Sequence, residues 1–232
     1  MSWHPQPAPR LFFKSSDRKS PLLATATHSP GARPPAISVT ARPLIMHIPD
    51  WDPQFLSKFN PDEYVARLKE SRAQSIVCYA QSHVGLFNYP TKVGKQHAAF
   101  AGRDIVAELM ERCRKEAIAV VLYTSLIHDR WAYDQHPDWR MLRADGKPIS
   151  EGGRHGLVCP NSPYREYVRR WVDEMARRFD AEGFRFDMTF WVGVCHCPHC
   201  KERWGKESTQ PWPTTMDWTD ERWTSFAHRR ET

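Results

Sequence analysis

Nothing in this 232-residue chain approaches the ~18 consecutive apolar residues that a membrane-crossing helix needs. The opening residues also lack the roughly 7–15-residue apolar core of a secretory signal. No membrane partner is therefore expected, and the cytoplasm is the expected compartment. Acidic side chains are almost missing from residues 1–40, where Arg10, Lys14, Arg18, Lys19 and Arg33 face Asp17 alone. That segment holds most of the net charge of +6 and leaves about +2 for the rest. The body of the chain is thus near balance, without the basic footprint of a nucleic-acid-binding domain. Residues 1–40 are rich in Pro, Ser, Ala and Thr, show no periodicity, and are expected to be disordered.

Cysteine is sparse as well. The six residues lack the spacing of a disulfide scaffold, which argues for a reducing compartment. Cys78 and Cys113 fall inside apolar periodic segments and read as small core residues. No glycine-rich loop follows the first apolar run; Pro49-Asp50-Trp51-Asp52-Pro53 stands there and cannot cradle a phosphate. This speaks against a flavodoxin-like doubly wound sheet, the competing fold.

What the chain has is 41% hydrophobic residues and ten tryptophans, enough for a packed core and for flat rings that meet sugar faces. Its pattern alternates. Leu44-Ile45-Met46-His47-Ile48 has strand length; Asn60-Pro61-Asp62-Glu63 then offers an N-cap, a first-turn proline and a capping box. Ser75–Ala80 reads as a second strand and Arg103–Glu116 as a helix with Ile105, Val106, Leu109, Met110 and Cys113 on one face. Ile118–Tyr123 is a third strand, and Ser162-Pro163 opens a helix buried through Val168, Trp171, Val172, Met175 and Phe179. Gly183–Met188 follows as a fourth strand. Strands alternating with helices predict a parallel α/β fold.

The links from helix to strand are short, whereas those from strand to helix span residues 49–59, 81–102 and 124–161. In a parallel barrel these long links form the catalytic face. They carry His83, Tyr89, His128, Asp129, Trp131, Trp139, Arg154, His155 and Asn161. The expectation is a (β/α)8 TIM-barrel type. Four clear strands argue for a partial barrel of about four β/α units, with residues 41–232 forming its N-terminal part.

The fourth strand departs from the all-apolar pattern of a buried parallel strand. It carries Arg185 and Asp187 two positions apart, on one face, with Asp187 at the mouth. Arg185 would keep that carboxylate anionic, as a glycosidase nucleophile requires; the plain alternative is a structural ion pair. Asp129, Asp134 and Asp138 are expected at the surface or on a sugar. Trp212, Trp218 and Trp223 are expected to pack rather than stack on carbohydrate.

Several segments together resemble a known family. Gly183–Asp187 is similar to the fourth-strand segment of retaining barrel glycoside hydrolases. Ala80-Gln81-Ser82-His83-Val84-Gly85-Leu86-Phe87 resembles the α-L-fucosidase segment Ala-Lys-His-His-Asp-Gly-Phe. Leu122–Ser125 with Trp131 and His136–Trp139, Cys159–Tyr164, and the later Cys-x-Cys-Pro-x-Cys run complete the likeness. Over residues 44–206 the chain resembles the fucosidase-related family called hypothetical glycoside hydrolase family 6. The resemblance implies a carbohydrate substrate and Asp187 as nucleophile, with His83, Tyr123, Trp131, Asn161 and Arg185 around the sugar. Gln81-Ser82-His83-Val84 lacks one histidine and the acid of the fucosidase segment, so fucose itself is not implied. The acid/base residue is expected outside this chain, because no carboxyl before Asp187 suits the part.

Such hydrolysis requires no cofactor. Val194-Cys195-His196-Cys197-Pro198-His199-Cys200 still concentrates zinc's preferred ligand types. Cys195, Cys197 and Cys200 would hold a structural zinc with His199, His196 or Cys159 as the fourth ligand. Two readings therefore compete with hydrolysis: a zinc-braced interaction module and a carbohydrate-binding remnant without turnover.

Overall fold

The helix-start signal at Asn60-Pro61 is obeyed in a computed structural model, which describes residues 41–43, 52–54, 56–100, 102–150 and 152–228, whereas the helix after Ser162-Pro163 begins at Tyr164 without a side-chain cap. The disordered segment expected at 1–40 and the strand expected at Leu44–Ile48 lie outside those residues. Strand β1 (Ala41–Pro43) is described just before the latter. Helix α1 (Pro61–Glu70) starts on Asn60, whose side chain accepts from the amides of Asp62 and Glu63. Val65 and Leu68 are its buried stripe. Strand β2 (Ser75–Tyr79) is buried along its whole length, as a strand covered on both faces should be.

The link after β2 contains a small parallel pair, β3 (Leu86–Phe87) and β4 (Lys95–Gln96). Helix α2 (Ile105–Lys115) is capped by Asp104 and buries Ile105, Val106, Leu109, Met110 and Cys113. Strand β5 (Ala119–Ser125) runs two residues further than its apolar signal suggests. The long link beyond it holds the short helix α3 (Arg130–Gln135). Helix α4 (Tyr164–Arg178) buries Tyr164, Tyr167, Trp171 and Met175 at helical spacing. Strand β6 (Gly183–Asp187), α5 (Pro198–Glu207) and α6 (Glu221–His228) complete the order.

The four longer strands form one parallel sheet in the order β1-β2-β5-β6. Its register pairs Tyr79 with Tyr123, Tyr123 with Arg185, and Ser125 with Asp187. Because side chains alternate, Val77, Tyr79, Tyr123, Arg185 and Asp187 share one face. The opposite face, with Ile76, Cys78, Val120 and Leu122, joins residues of α1, α2 and α4 in the main core. The chain is thus α/β with a partial sheet. Among the described residues β6 pairs only with β5, so it is the outer strand of the described sheet. Its position leaves Phe186 42% exposed, where a fully buried strand was expected.

A second core gathers Trp191, Trp204, Trp223 and Phe226 around four buried cysteines. Trp223 is fully buried and Trp212 packs at its margin, as expected, whereas Trp218 is exposed. Among the described residues, no helix is long and apolar enough to cross a membrane.

Candidate active site

Asp187 is the last residue of β6, and its carboxyl lies over the C-terminal ends of the strands. Tyr123, one pleat back on β5, donates its phenolic hydrogen to Asp187 Oδ2 at 2.6 Å. The backbone N–H of Met188 donates to Oδ1 at 2.8 Å. Met188 has φ +56°, a left-handed conformation that costs of order 1 kcal/mol or more in a residue with a side chain. That turn folds the amide back onto the carboxylate. Burial opposes ionisation of Asp187, but the Tyr123 and Met188 hydrogen bonds and the His83 charge outweigh it. The pKa therefore falls below the ordinary aspartate value, and Arg185 makes the smallest of the named contributions.

His83 continues the network. Its Nε2 lies 3.2 Å from Tyr123 Oη, and its Nδ1 lies 2.8 Å from Ser125 Oγ. Since Tyr123 gives its single hydrogen to Asp187, its contact with Nε2 requires the proton on that nitrogen. Ser125 in turn donates to the carbonyl of His128 at 3.0 Å. Burial of Tyr123, and then its bond to the carboxylate, raises the phenol's pKa, so it remains the donor. Gln81 is wholly buried and accepts from Ser125 N–H and Thr124 Oγ1, which fixes the top of β5.

Two further histidines close on His83. The ring centroids of His128 and His155 lie 5.3 and 5.4 Å from it, and these two rings stack at 5.6 Å. His155 returns from the far end of the long link because that segment bridges back at His128–Leu157 and Arg140–Val158. Burial lowers the pKa of His128, and the His155 charge adds to the effect.

Sequence reasoning placed both histidines on the catalytic face but did not assign them, or Ser125, to the site. The only signal was three histidines on two successive long links, His83 on the first and His128 and His155 on the second.

Two of the expected sugar contacts lie elsewhere. Trp131 belongs to α3 and joins Trp139, His136, Val93, Glu166 and Arg170 in a separate groove, beside Tyr167. The Asn161 side chain reaches Cys200 and Arg203. Arg185 shares the face of Tyr123 and Asp187 but is exposed.

Asp129, expected at the surface or on a sugar, is fully buried. It caps α3 through Ala132 N–H and accepts from Tyr164. Burial raises its pKa to about 6. Gly85, with φ +78°, leaves the room it occupies: a Cβ there would lie 1.9 Å from Asp129 Oδ1.

The cysteine run sits in the loop after β6. Cys159, Cys195, Cys197 and Cys200 bring their sulfurs within 4.8 Å of one another, and all four are buried. Cys159, rather than either histidine of the run, completes the group. His196 instead packs against Trp212.

Comparison with known proteins agrees with the sheet. The chain is 28% identical to the β-galactosidase BgaH of Haloferax lucentense over 135 residues, 55% of this chain and 20% of that protein. It is 33% identical to the β-galactosidase BgaP of a Planococcus strain over 100 residues, 40% of this chain and 14% of that one. It therefore spans a fifth or less of these relatives. The fold is shared with α-L-fucosidase isoenzyme 2 from Paenibacillus thiaminolyticus: the TM-score is 0.65 at 20% identity, over 72% of this chain and 26% of the fucosidase. The family described as Hypothetical glycosyl hydrolase 6 matches residues 60–188, more than half of the chain, from the cap of α1 to the residue after Asp187. The chain belongs to that fucosidase-related glycosyl hydrolase family.

Proposed function

We propose that this chain supplies the nucleophile side of a retaining glycoside hydrolase site, with Asp187 as the nucleophile. The observation that carries this reading is the carboxylate at the end of β6, kept anionic by Tyr123 and Met188 N–H. Asp187 attacks the anomeric carbon, and a glycosyl ester forms as the glycosidic bond breaks. An acid protonates the departing oxygen, and water later releases the sugar and regenerates the carboxylate. His83, His128 and His155 supply hydrogen-bonding groups to sugar hydroxyls beside it, and Arg185 adds positive charge on the same face.

The second carboxyl group must stand about 5–5.5 Å from the nucleophile in a retaining enzyme. The groups that set the ionisation of Asp187 are a phenol, a backbone amide, an imidazole and a guanidinium. Among the described residues that set holds no second carboxyl, so we place the acid/base on polypeptide outside the described four-stranded sheet, in a barrel that would extend from the outer edge of β6. The exposed Phe186 there and the short share of the relatives covered by this chain support this reading. The names of the relatives point to galactosides or fucosides as the substrate class.

The test is turnover of dinitrophenyl galactosides and fucosides, whose leaving group needs little protonation. Slow turnover that disappears in Asp187→Ala is expected. Turnover that survives in that variant rejects the assignment.

A further inference from the structure

The structure assigns a metal site, separate from the hydrolase reading, to Cys159, Cys195, Cys197 and Cys200, and its chemistry selects one zinc ion. Three of these residues are close in sequence, at the start of α5. The fourth comes from 36 positions earlier, in the link after β5. Their sulfurs nonetheless lie within 4.8 Å of one another, and Cys159 and Cys200 are 3.3 Å apart. Four thiolates around a single zinc, with Zn–S of about 2.3 Å, stand about 3.8 Å from each other. The observed group is of that size, and a polynuclear iron–sulfur cluster needs its cysteines further apart.

The surroundings fit the same conclusion. N–H donors point at the sulfurs: Cys200 N–H at Cys197 Sγ and Asn161 Nδ2 at Cys200 Sγ, both at 3.4 Å. Arg203 holds Asn161 by its Oδ1 at 2.8 Å, and Arg165 is anchored on the carbonyl of Pro160, next to Cys159. Binding releases the four thiol protons to solvent and leaves a tetrathiolate site of formal charge −2, complemented by those two arginines. The ion cross-links the strand-to-helix segments that follow β5 and β6. Trp191, Trp204 and Phe226 belong to the same buried core, and four thiolates fill the tetrahedral positions of zinc, which leaves none for water or substrate. It braces the segment that follows Asp187 and takes no part in bond cleavage.

Purified full chain is expected to carry about one zinc per molecule by native mass spectrometry and elemental analysis. Cobalt(II) in its place is expected to show the strong thiolate charge-transfer and visible bands of a tetrahedral sulfur site. Cys159→Ser abolishes stoichiometric binding. Asn161→Ala weakens it about 10- to 100-fold, as loss of a ligand's supporting bond does. His196→Ala and His199→Ala leave it unchanged.

If a cysteine variant does not fold, the cobalt spectrum of the unaltered chain decides. A folded chain without metal whose four thiols are free or paired as disulfides overturns the assignment. So does full zinc affinity in Cys159→Ser. None of these readouts involves glycoside turnover, so failure here leaves the proposed function standing, and the reverse holds.

Discussion

Tyr123 and Asp187 meet across the β5–β6 pair, where a 2.6 Å hydrogen bond joins the phenol to the carboxylate. The register explains the contact. Tyr123 is directly opposite Arg185, and Asp187 is two residues on, the diagonal neighbour on the same face. A side chain of tyrosine length spans that diagonal.

Removing the bond makes Asp187 a weaker anion. Tyr123→Phe is expected to raise its pKa by on the order of one unit, since a hydrogen bond to a charged group contributes about 1.5–3 kcal/mol. Carboxyl carbon chemical shifts followed against pH in the unaltered and Phe chains read this directly. An unchanged midpoint would show that the phenol does not set the charge of Asp187.

Gly85 is required by Asp129. Gly85→Ala places a methyl group 1.9 Å from a buried carboxylate oxygen at a left-handed φ. The expected loss is about 2–4 kcal/mol, the range for overpacking combined with backbone strain. Urea unfolding midpoints of the two chains measure it, and a loss below about 1 kcal/mol would contradict the packing described.

Asp129 also gives stability a pH dependence of known sign. Its folded pKa, about 6, lies above the ordinary 3.8, so the folded chain holds that proton more tightly than the unfolded chain. The contribution is present below the lower value and is lost as pH rises through the upper one. Asp129→Asn keeps an acceptor for the Ala132 amide but cannot ionise. The stability difference between the Asn variant and the unaltered chain should therefore shift in favour of the Asn variant between those two values. Urea midpoints at each pH test this, and a constant difference would refute it.

The sequence displayed what local rules control. Asn60-Pro61 marks a helix start because caps act within a few residues, and Ser162-Pro163 lies within two residues of the start of α4 although no side chain caps it. The alternation along Gly183–Asp187 puts Arg185 and Asp187 on one face without any knowledge of neighbours. What stayed hidden depends on chain return. His155 reaches His128 only through a bridge closed 29 residues apart, from His128 to Leu157. Cys159 is one of three candidate partners for the later cysteines, and only the same non-local return selects it over His196 and His199. Trp131 and Asn161 illustrate the reverse case. Both sit on the long link after β5, but α3 turns the tryptophan into another groove and Arg203 draws the asparagine toward the thiols. A link's face can be read from order along the chain, but the direction of each side chain on it cannot.

The nucleophile assignment itself is tested most directly by trapping. A 2-deoxy-2-fluoro glycosyl fluoride carries a leaving group that needs no acid, so the Asp187 side of the site can react alone, while the fluorine slows release. Incubating the full chain with the galactosyl and fucosyl reagents, followed by peptide mass analysis, is expected to yield one glycosyl ester on Asp187, absent from Asp187→Asn. No adduct, an adduct on another residue, or one that persists in the Asn variant would contradict the account.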